Sequence, residues 1–350
     1  KQESPGDFKY EYARSKNPTR DILEKLLAEI EEGKFGFAFS SGMAAINCLS
    51  DALGKDYHIL CSDDVYGGTR RLFDKVKSEN QNVETSYVDL SKENNWKGHI
   101  KENTKIVWLE TPSNPLMKIV DIRSIADALI GSDILVVCDN TFASPYNQQP
   151  LTQGADVTLH SSTKYLGGHS DLIGGSLIIK DNKNLADKIY YLQNAAGAIP
   201  SPFDCYLLIR SIKTLSVRME RHNINGLEIA KFLSKHSKIN KVMYPGLEND
   251  QSYAIAKKQM KGFGGILSID LKTDFNGIKT FLENLSLFTL AESLGGVESL
   301  IEHPATMTHA SIDKKIREEL GITDSLLRLS IGIEDKDDLI DSLNNALKVI

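Results

Sequence analysis

Lys164 lies in the run LHSSTKYLGGHSD, residues 159–171, among hydroxyls and glycines and just after a strand-like segment. A solvated lysine needs no such company, whereas an amine that is to lose its proton and attack a carbonyl carbon needs a crowded, preorganised setting. Ser161 and Thr163 add two hydroxyls two residues apart. Read as extended chain they share a face, so both can donate to one phosphate while Lys164 points away from it. Upstream, SSGMAA sets Gly42 and Met43 where a strand gives way to a helix. Their N–H groups then stand at a helix N-terminus, which favours an anion, and Gly42 lets the backbone approach it closely. The combination is an anchored phosphate beside a nucleophilic amine.

Asp139 follows the apolar run ILVVC, so its carboxylate emerges at the edge of a buried strand, where it needs a cation or hydrogen-bond donors. An isolated Asp139–Asn140 pair reads as a turn cap. Beside a phosphate cradle and a reactive lysine, the better partner is a protonated pyridine nitrogen. Tyr66, in DDVYGG, is followed by two glycines that free its backbone, and its ring can lie on a flat cofactor. Alone it would read as an ordinary core or surface tyrosine.

The elements that must position these residues are visible between Thr19 and about Lys180. Strand-like runs FGFAFS, HILCS, VETSYV, KIVWLE, ILVVCD, VTLH and GGSLIIK are separated mostly by helix-length or turn-rich segments. Such nearly all-apolar strands indicate a mostly parallel central sheet covered by helices, an α/β fold. Thr19 is expected to cap a first helix with Ile22, Leu23, Leu26, Leu27 and Ile30 on one face, ended by Gly33. Ligands of such sheets bind beyond the carboxyl ends of the strands. There the chain has SSGMAA, DDVYGGT, TPSNP, DNTFASPY and SSTKY, one after each of five strands. Any one of these loops is as readily a plain turn; five converging on one edge are not. Residues 1–18 read as an extended N-terminal arm and 19–215 as a large domain. Residues 216–350 read as a smaller C-terminal α/β domain with a long helix leading in, strands INKVMY, GGILSIDL and LFTLA, and a terminal helix after GIEDKDD.

Composition excludes several classes. With 350 residues, 41% apolar and 25% charged, the chain can bury a large core. Its formal charge of −6 is spread without a basic stripe, so no nucleic-acid partner is expected. The longest apolar runs are strand-length, so no membrane partner is expected either. Cys48, Cys61, Cys138 and Cys205 have no metal-ligand spacing and read as small buried hydrophobes of a reducing, cytoplasmic compartment. The chain begins at Lys1 without an initiator methionine, and a further N-terminal stretch is expected to precede it.

The segments EYARSKNPTR, SSGMAA, DDVYGGTRRLF, WLETPSNP, VVCDNTFASPY, SSTKYLGGHSD, NAAGAIPSPFD, LFTLAESLGGVESLIEHPATMTHAS and LLRLSIGIEDKDDLIDSL run in order along essentially the whole chain. Together they resemble the Cys/Met-metabolism family of pyridoxal-phosphate enzymes. The resemblance implies the aspartate-aminotransferase-type fold with pyridoxal 5'-phosphate on Lys164. It makes Asp139 the partner of the pyridinium, Tyr66 the ring-stacking residue, and Gly42, Met43, Ser161 and Thr163 the phosphate cup. Asn114, Ser293 and Arg328 become the group that holds the substrate carboxylate and the cofactor's oxygen, Arg328 acting as a fork. Glu292 and Glu11 become acidic residues near the distal end of the substrate. Tyr12 and Arg14, taken as extended and facing one way, become residues that reach a neighbouring subunit's phosphate, so that the site depends on a dimer within a homotetramer. Without the resemblance they read as a flexible tail.

Within the family, the motifs lie nearest members that break cystathionine at its γ-carbon to give cysteine, 2-oxobutanoate and ammonia. Gly68 argues against elimination from methionine, and Glu292 against β-elimination. Members that run the γ-replacement reaction and build cystathionine share nearly every motif and are the rival reading. A catalytically silent phosphate-binding scaffold is the alternative of another class, and the intact Lys164, Asp139 and Arg328 speak against it.

Overall fold

The computed structural model describes residues 4, 6, 9–92, 96–310 and 313–350. Seven strands form one mixed sheet: β1 (Phe35–Phe39), β2 (His58–Ser62), β3 (Glu84–Val88), β4 (Thr104–Glu110), β5 (Leu135–Asp139), β6 (Val157–Ser161) and β7 (Gly175–Ile179). Their order is β1-β7-β6-β5-β4-β2-β3. Strands β3, β2, β4, β5 and β6 are parallel, and β7 is antiparallel to both of its neighbours. β1 therefore points the same way as the parallel five, and the ends of all six lead to one edge. All seven strands fall on the runs read from the sequence.

Successive strand residues alternate between two cores, one on each face. Leu60, Val107, Leu109, Val136 and Cys138 belong to one, and Ile59, Cys61, Ile106, Trp108 and Val137 to the other. This is why both phases of each strand are apolar. Helices Pro18–Ile30 and Pro202–Ile212 cover the first face, and Gly42–Leu53 and Lys183–Ala196 the second. The four cysteines are buried and unpaired, and among the described residues no helix is long and apolar enough to cross a membrane.

Thr19 does not cap the first helix. Asn17 does, its Oδ1 accepting from the N–H groups of Thr19 at 3.0 Å and Arg20 at 3.3 Å. Pro18, with its φ already helical and no N–H to satisfy, fills the first helical position, and the cap must precede it.

Helix Leu215–Ser234 joins the two halves of the chain: Leu215 and Met219 pack in the core of the large sheet, Ile229 and Leu233 in that of a second sheet. The second sheet contains β8 (Ile239–Met243), β9 (Ile266–Leu271), β10 (Thr289–Leu290), β11 (Leu300–Glu302) and β12 (Leu326–Ser330), in the order β10-β11-β12-β9-β8. Only two residues of LFTLA pair as strand, and β11 was not foreseen: it is three residues long, too short to show a period.

Gly175, at the start of β7, fixes the edge that faces the site. A Cβ there would lie 2.1 Å from the Ser41 carbonyl oxygen and 2.7 Å from the Gly42 nitrogen. Both are backbone atoms that cannot swing aside. Gly175→Ala is expected to cost about 1–3 kcal/mol of stability by overpacking, read as a lower denaturant midpoint. An unchanged midpoint would show that the Ser41–Gly42 turn gives way freely.

Candidate active site

The carboxyl ends of the parallel strands open into a cavity of about 350 Å³. At its floor β6 ends at Ser161 and the chain turns at once, Lys164 N–H donating to the Ser161 carbonyl at 3.1 Å and Gly168 N–H to the Lys164 carbonyl at 2.7 Å. Residues 161–164 are thus a turn, not the extended segment expected, and strand alternation does not order their side chains. Ser161, Thr163 and Lys164 nevertheless all line the cavity. The Thr163 hydroxyl accepts from Gly174 N–H at 3.1 Å, so it braces the turn as well.

Lys164 Nζ donates to Ser293 Oγ at 3.0 Å. Burial, and then the nearby Arg328 guanidinium, lower its pKa to about 8, against the opposing pull of Glu302 and Glu292. The amine is therefore far closer to its neutral, nucleophilic form at physiological pH than a surface lysine.

Asp139 ends β5, 8% exposed. Its Oδ1 accepts from Thr141 N–H at 3.0 Å and from Thr141 Oγ1 at 2.5 Å, the geometry of a turn cap. Thr141 Oγ1 accepts in turn from Ser161 N–H at 2.9 Å and so locks Asp139 to the lysine turn. Among the described residues no donor reaches the other oxygen, Oδ2. Burial raises the carboxyl above its ordinary range, opposed by the Thr141 hydrogen bonds and by His160.

Besides Thr141, two acids at or behind the site were not foreseen. Glu110, the register partner of Asp139 on β4, accepts from Tyr66 N–H at 2.9 Å and is held well above the ordinary carboxyl range, first by burial and then by the Asp139 charge. The signal was present in WLE, where an acid ends an apolar strand as Asp139 does. Glu302, at the end of β11, pairs with Arg328 across the second sheet, Oε1 to Nη1 at 2.9 Å. Its strand gave no period from which its direction could be read.

Arg328, on β12, is 2% exposed. Beyond Glu302, its Nη1 donates to Asn114 Oδ1 at 2.9 Å, and its Nη2 to the carbonyls of Glu292 at 3.1 Å and Ser293 at 3.0 Å. Three hydrogen bonds and the Glu302 ion pair engage both Nη groups, and Nε has no partner among the described residues. The fork is thus built, but its prongs are already held by the protein. Asn114, Glu292, Ser293 and Arg328 all line the cavity.

Tyr66 stands at the mouth, 43% exposed. Neither following glycine has a positive φ. A Cβ on Gly68 would lie 2.4 Å from Tyr66 Cε1, so Gly68 serves to leave room for the ring rather than to free the backbone.

The arm stays outside this cavity. Tyr12, Arg14 and Glu11 are absent from its lining. Tyr12 O accepts from Ser15 N–H and Lys16 N–H at 3.0 Å, so residues 12–16 are a turn and not extended chain. Arg14 lies 5.3 Å from the Tyr12 ring centroid and donates to the Asn194 carbonyl at 2.6 Å.

Residues 1–348 match the family of Cys/Met metabolism PLP-dependent enzymes. The chain belongs to that family. It is 51% identical over 347 residues to a cystathionine beta-lyase of Coxiella burnetii, covering 99% of this chain and 90% of the relative. To a cystathionine gamma-lyase of Bacillus subtilis it is 48% identical over 341 residues, 97% of this chain and 89% of the relative. The solved cystathionine gamma synthase of Xanthomonas oryzae pv. oryzae superposes with a TM-score of 0.95 at 42% identity, over 98% of this chain and 89% of the other. The fold is accordingly that of the PLP-dependent transferases, and the family's cofactor is pyridoxal 5'-phosphate.

The cavity fits that cofactor. The N–H groups of Gly42 and Met43 open a helix capped by Ser41, and a Cβ on Gly42 would crowd Ser161 Cα at 3.2 Å. That is a cradle of donors kept bare for an anion. Asp139 Oδ2 is an unmatched anion for a ring cation, and Lys164 is an amine poised for a carbonyl. Among the described residues no group of three His, Cys, Asp or Glu side chains is placed to hold a metal.

The Glu110–Asp139 pair gives a pH signature. A folded pKa raised above the unfolded one contributes stability that is complete below the unfolded value and is lost as pH rises through the folded value. Glu110→Gln keeps an acceptor for Tyr66 N–H without a charge to bury. Its melting temperature should therefore gain on wild type as pH rises from about 5 to about 9. Melting curves that stay parallel across that range would show that Glu110 carries no such burden.

Proposed function

We propose that the protein breaks cystathionine at its γ-carbon, releasing cysteine, 2-oxobutanoate and ammonia, with pyridoxal phosphate held on Lys164. The observation that carries this reading is Glu292 lining the same cavity as Lys164, where it can meet the distal ammonium of a long substrate. Bound there, the cofactor supplies an electron-withdrawing ring that accepts charge from the substrate's α-carbon. Gly42, Met43, Ser161 and Thr163 would hold its phosphate, Tyr66 would cover its ring, and the Asp139 carboxylate would meet the ring nitrogen. Arg328 and Asn114 receive the substrate's carboxylate. Lys164, steadied by Ser293 and freed once the substrate's amine takes its place, would remove the α-proton, hand it on and then take a β-proton, and Tyr66 would give a proton to the departing sulfur. Residues 19–215 act as the cofactor domain, and 216–350 as the domain that brings Arg328 and Glu292 to it.

A second reading, β-elimination to homocysteine, pyruvate and ammonia, is favoured by the relatives at 51% and 53% identity that bear the β-lyase name. Those identities weaken the use of Glu292 to set β-elimination aside. The γ-replacement reading draws on the Xanthomonas synthase. Incubating the protein with cystathionine and pyridoxal phosphate is expected to yield cysteine and 2-oxobutanoate. Homocysteine and pyruvate would establish the β-lyase instead. Faster formation of cystathionine from cysteine and an activated homoserine ester would establish the synthase.

The same reading takes Tyr12, Arg14 and Glu11 into the site of a neighbouring subunit, in a dimer within a homotetramer. Their exposure outside their own cavity supports it: Tyr12 is 60% exposed. Lys164→Ala and Arg14→Ala should each be inactive alone. Mixed and allowed to exchange subunits, half the dimers are hybrids with one intact site, so about a quarter of wild-type activity should return. No recovery after demonstrated exchange would remove Arg14 from any neighbour's site.

A further inference from the structure

Glu302 and Arg328 are register partners across β11 and β12, and both are buried. Glu302 Oε1 meets Arg328 Nη1 at 2.9 Å and accepts from the Thr308 hydroxyl at 3.1 Å. Its other oxygen, Oε2, is buried with no partner among the described residues. A carboxylate in that position is kept ionised chiefly by its arginine and gives up its charge readily once that support is shared. Arg328, meanwhile, has both Nη groups engaged, by three hydrogen bonds and by the ion pair with Glu302. A ligand carboxylate must take over contacts now made at the guanidinium. The acceptors on Nη2 are backbone carbonyls and Asn114 is neutral; Glu302 is the one competing anion.

We propose that a ligand's carboxylate and the ionised form of Glu302 exclude one another at Arg328, so that binding the carboxylate transfers one proton from solvent to Glu302. The inference rests on the reading of Arg328 as the carboxylate site. In its balance, a ligand carboxylate, an ionised Glu302 and a proton give a carboxylate paired with Arg328 beside a neutral Glu302. Two carboxylates sharing one buried cation cannot both keep their charge at little cost, and the one with an unsatisfied oxygen takes the proton.

The groups around Glu302 agree with this. Burial pushes its pKa up to about 7, while Arg328, the Thr308 hydroxyl and Lys164 pull it down and Glu292 pushes with burial. His309, hydrogen-bonded to Thr308 at 2.9 Å, is held down to about 4 by burial and stays neutral. Above neutrality the unliganded pair is therefore ionised, and the proton must come from solvent.

The probe is butanoate, a carboxylate without an amino group of its own, titrated calorimetrically into the holoenzyme near pH 8 in two buffers of different ionisation enthalpy. Uptake approaching one proton per ligand is expected in the wild type. Affinity should fall by up to about tenfold for each pH unit above about 7. Glu302→Gln should take up no proton and hold its affinity level over that range. Wild-type binding without proton uptake would overturn the inference whether or not the variant folds. So would uptake that persists undiminished in Glu302→Gln, because the proton would then belong to Lys164 or another group. Butanoate affinity unchanged by Arg328→Ala would overturn the reading of Arg328 itself, whereas binding that needs Arg328 but moves no proton would overturn only the exchange at Glu302.

Discussion

The guanidinium of Arg328 is the joint on which the site depends. It stands on the second sheet yet donates to Asn114, in the loop that follows β4 of the first, and to two carbonyls of the segment that carries Ser293. Ser293 in turn accepts from Lys164. One buried side chain therefore sets the distance between the lysine turn and the opposite wall. Arginine suits the task because its planar fork fixes several acceptors at once, where a lysine would offer a point charge on a flexible stem. Removing it would leave Glu302 as an uncompensated buried anion, so the joint is also costly to break.

A second constraint is the amount of negative charge packed at the edge of the first sheet. Asp139 and Glu110 are register partners on adjacent parallel strands, both buried, with burial raising the pKa of each. One of the two must be neutral for the other to be an anion at modest cost. The geometry says which. Glu110 accepts from a backbone N–H on the Tyr66 loop and serves as a structural tie. Asp139 has Thr141 on one oxygen and keeps the other open. A neutral Glu110 beside an ionised Asp139 reserves the charge for the residue whose second oxygen is open to a ligand.

The large sheet was legible because its strands are apolar on both phases and long enough to show it, and the loop residues were legible because parallel topology sends them to one edge. What the sequence hid has physical reasons. Ser161 and Thr163 reach the cavity from a turn, and a turn beginning one residue after a strand leaves no mark in a period of two. Thr141 does its work through local hydrogen bonds of a kind found at many surface turns. Glu302 lies on a strand of three residues, and its importance comes from a partner 26 positions downstream that only the folded sheet brings opposite it. Tyr12 and Arg14 curl into a turn on their own subunit, so their spacing alone never determined where their side chains point.

The likeness of this chain to lyases and a synthase alike follows from the same division. Removing an α-proton, holding a ring cation and gripping a carboxylate are needed whichever carbon–sulfur bond is broken or made, and the roles proposed for Lys164, Asp139 and Arg328 would serve all of these reactions alike. With cystathionine as the proposed substrate, the bond that reacts would be decided by which part of it lies over Lys164, and that depends on what grips the far end of the molecule. On the proposed reading the near end is bound through buried groups in fixed geometry and the far end through acidic side chains, Glu292 lining the cavity and Glu11 exposed on the arm. Exposed ion pairs contribute about 1 kcal/mol or less, a factor of a few in rate. A difference that small can separate chains of one fold that are half identical, without altering any residue at the sheet edge.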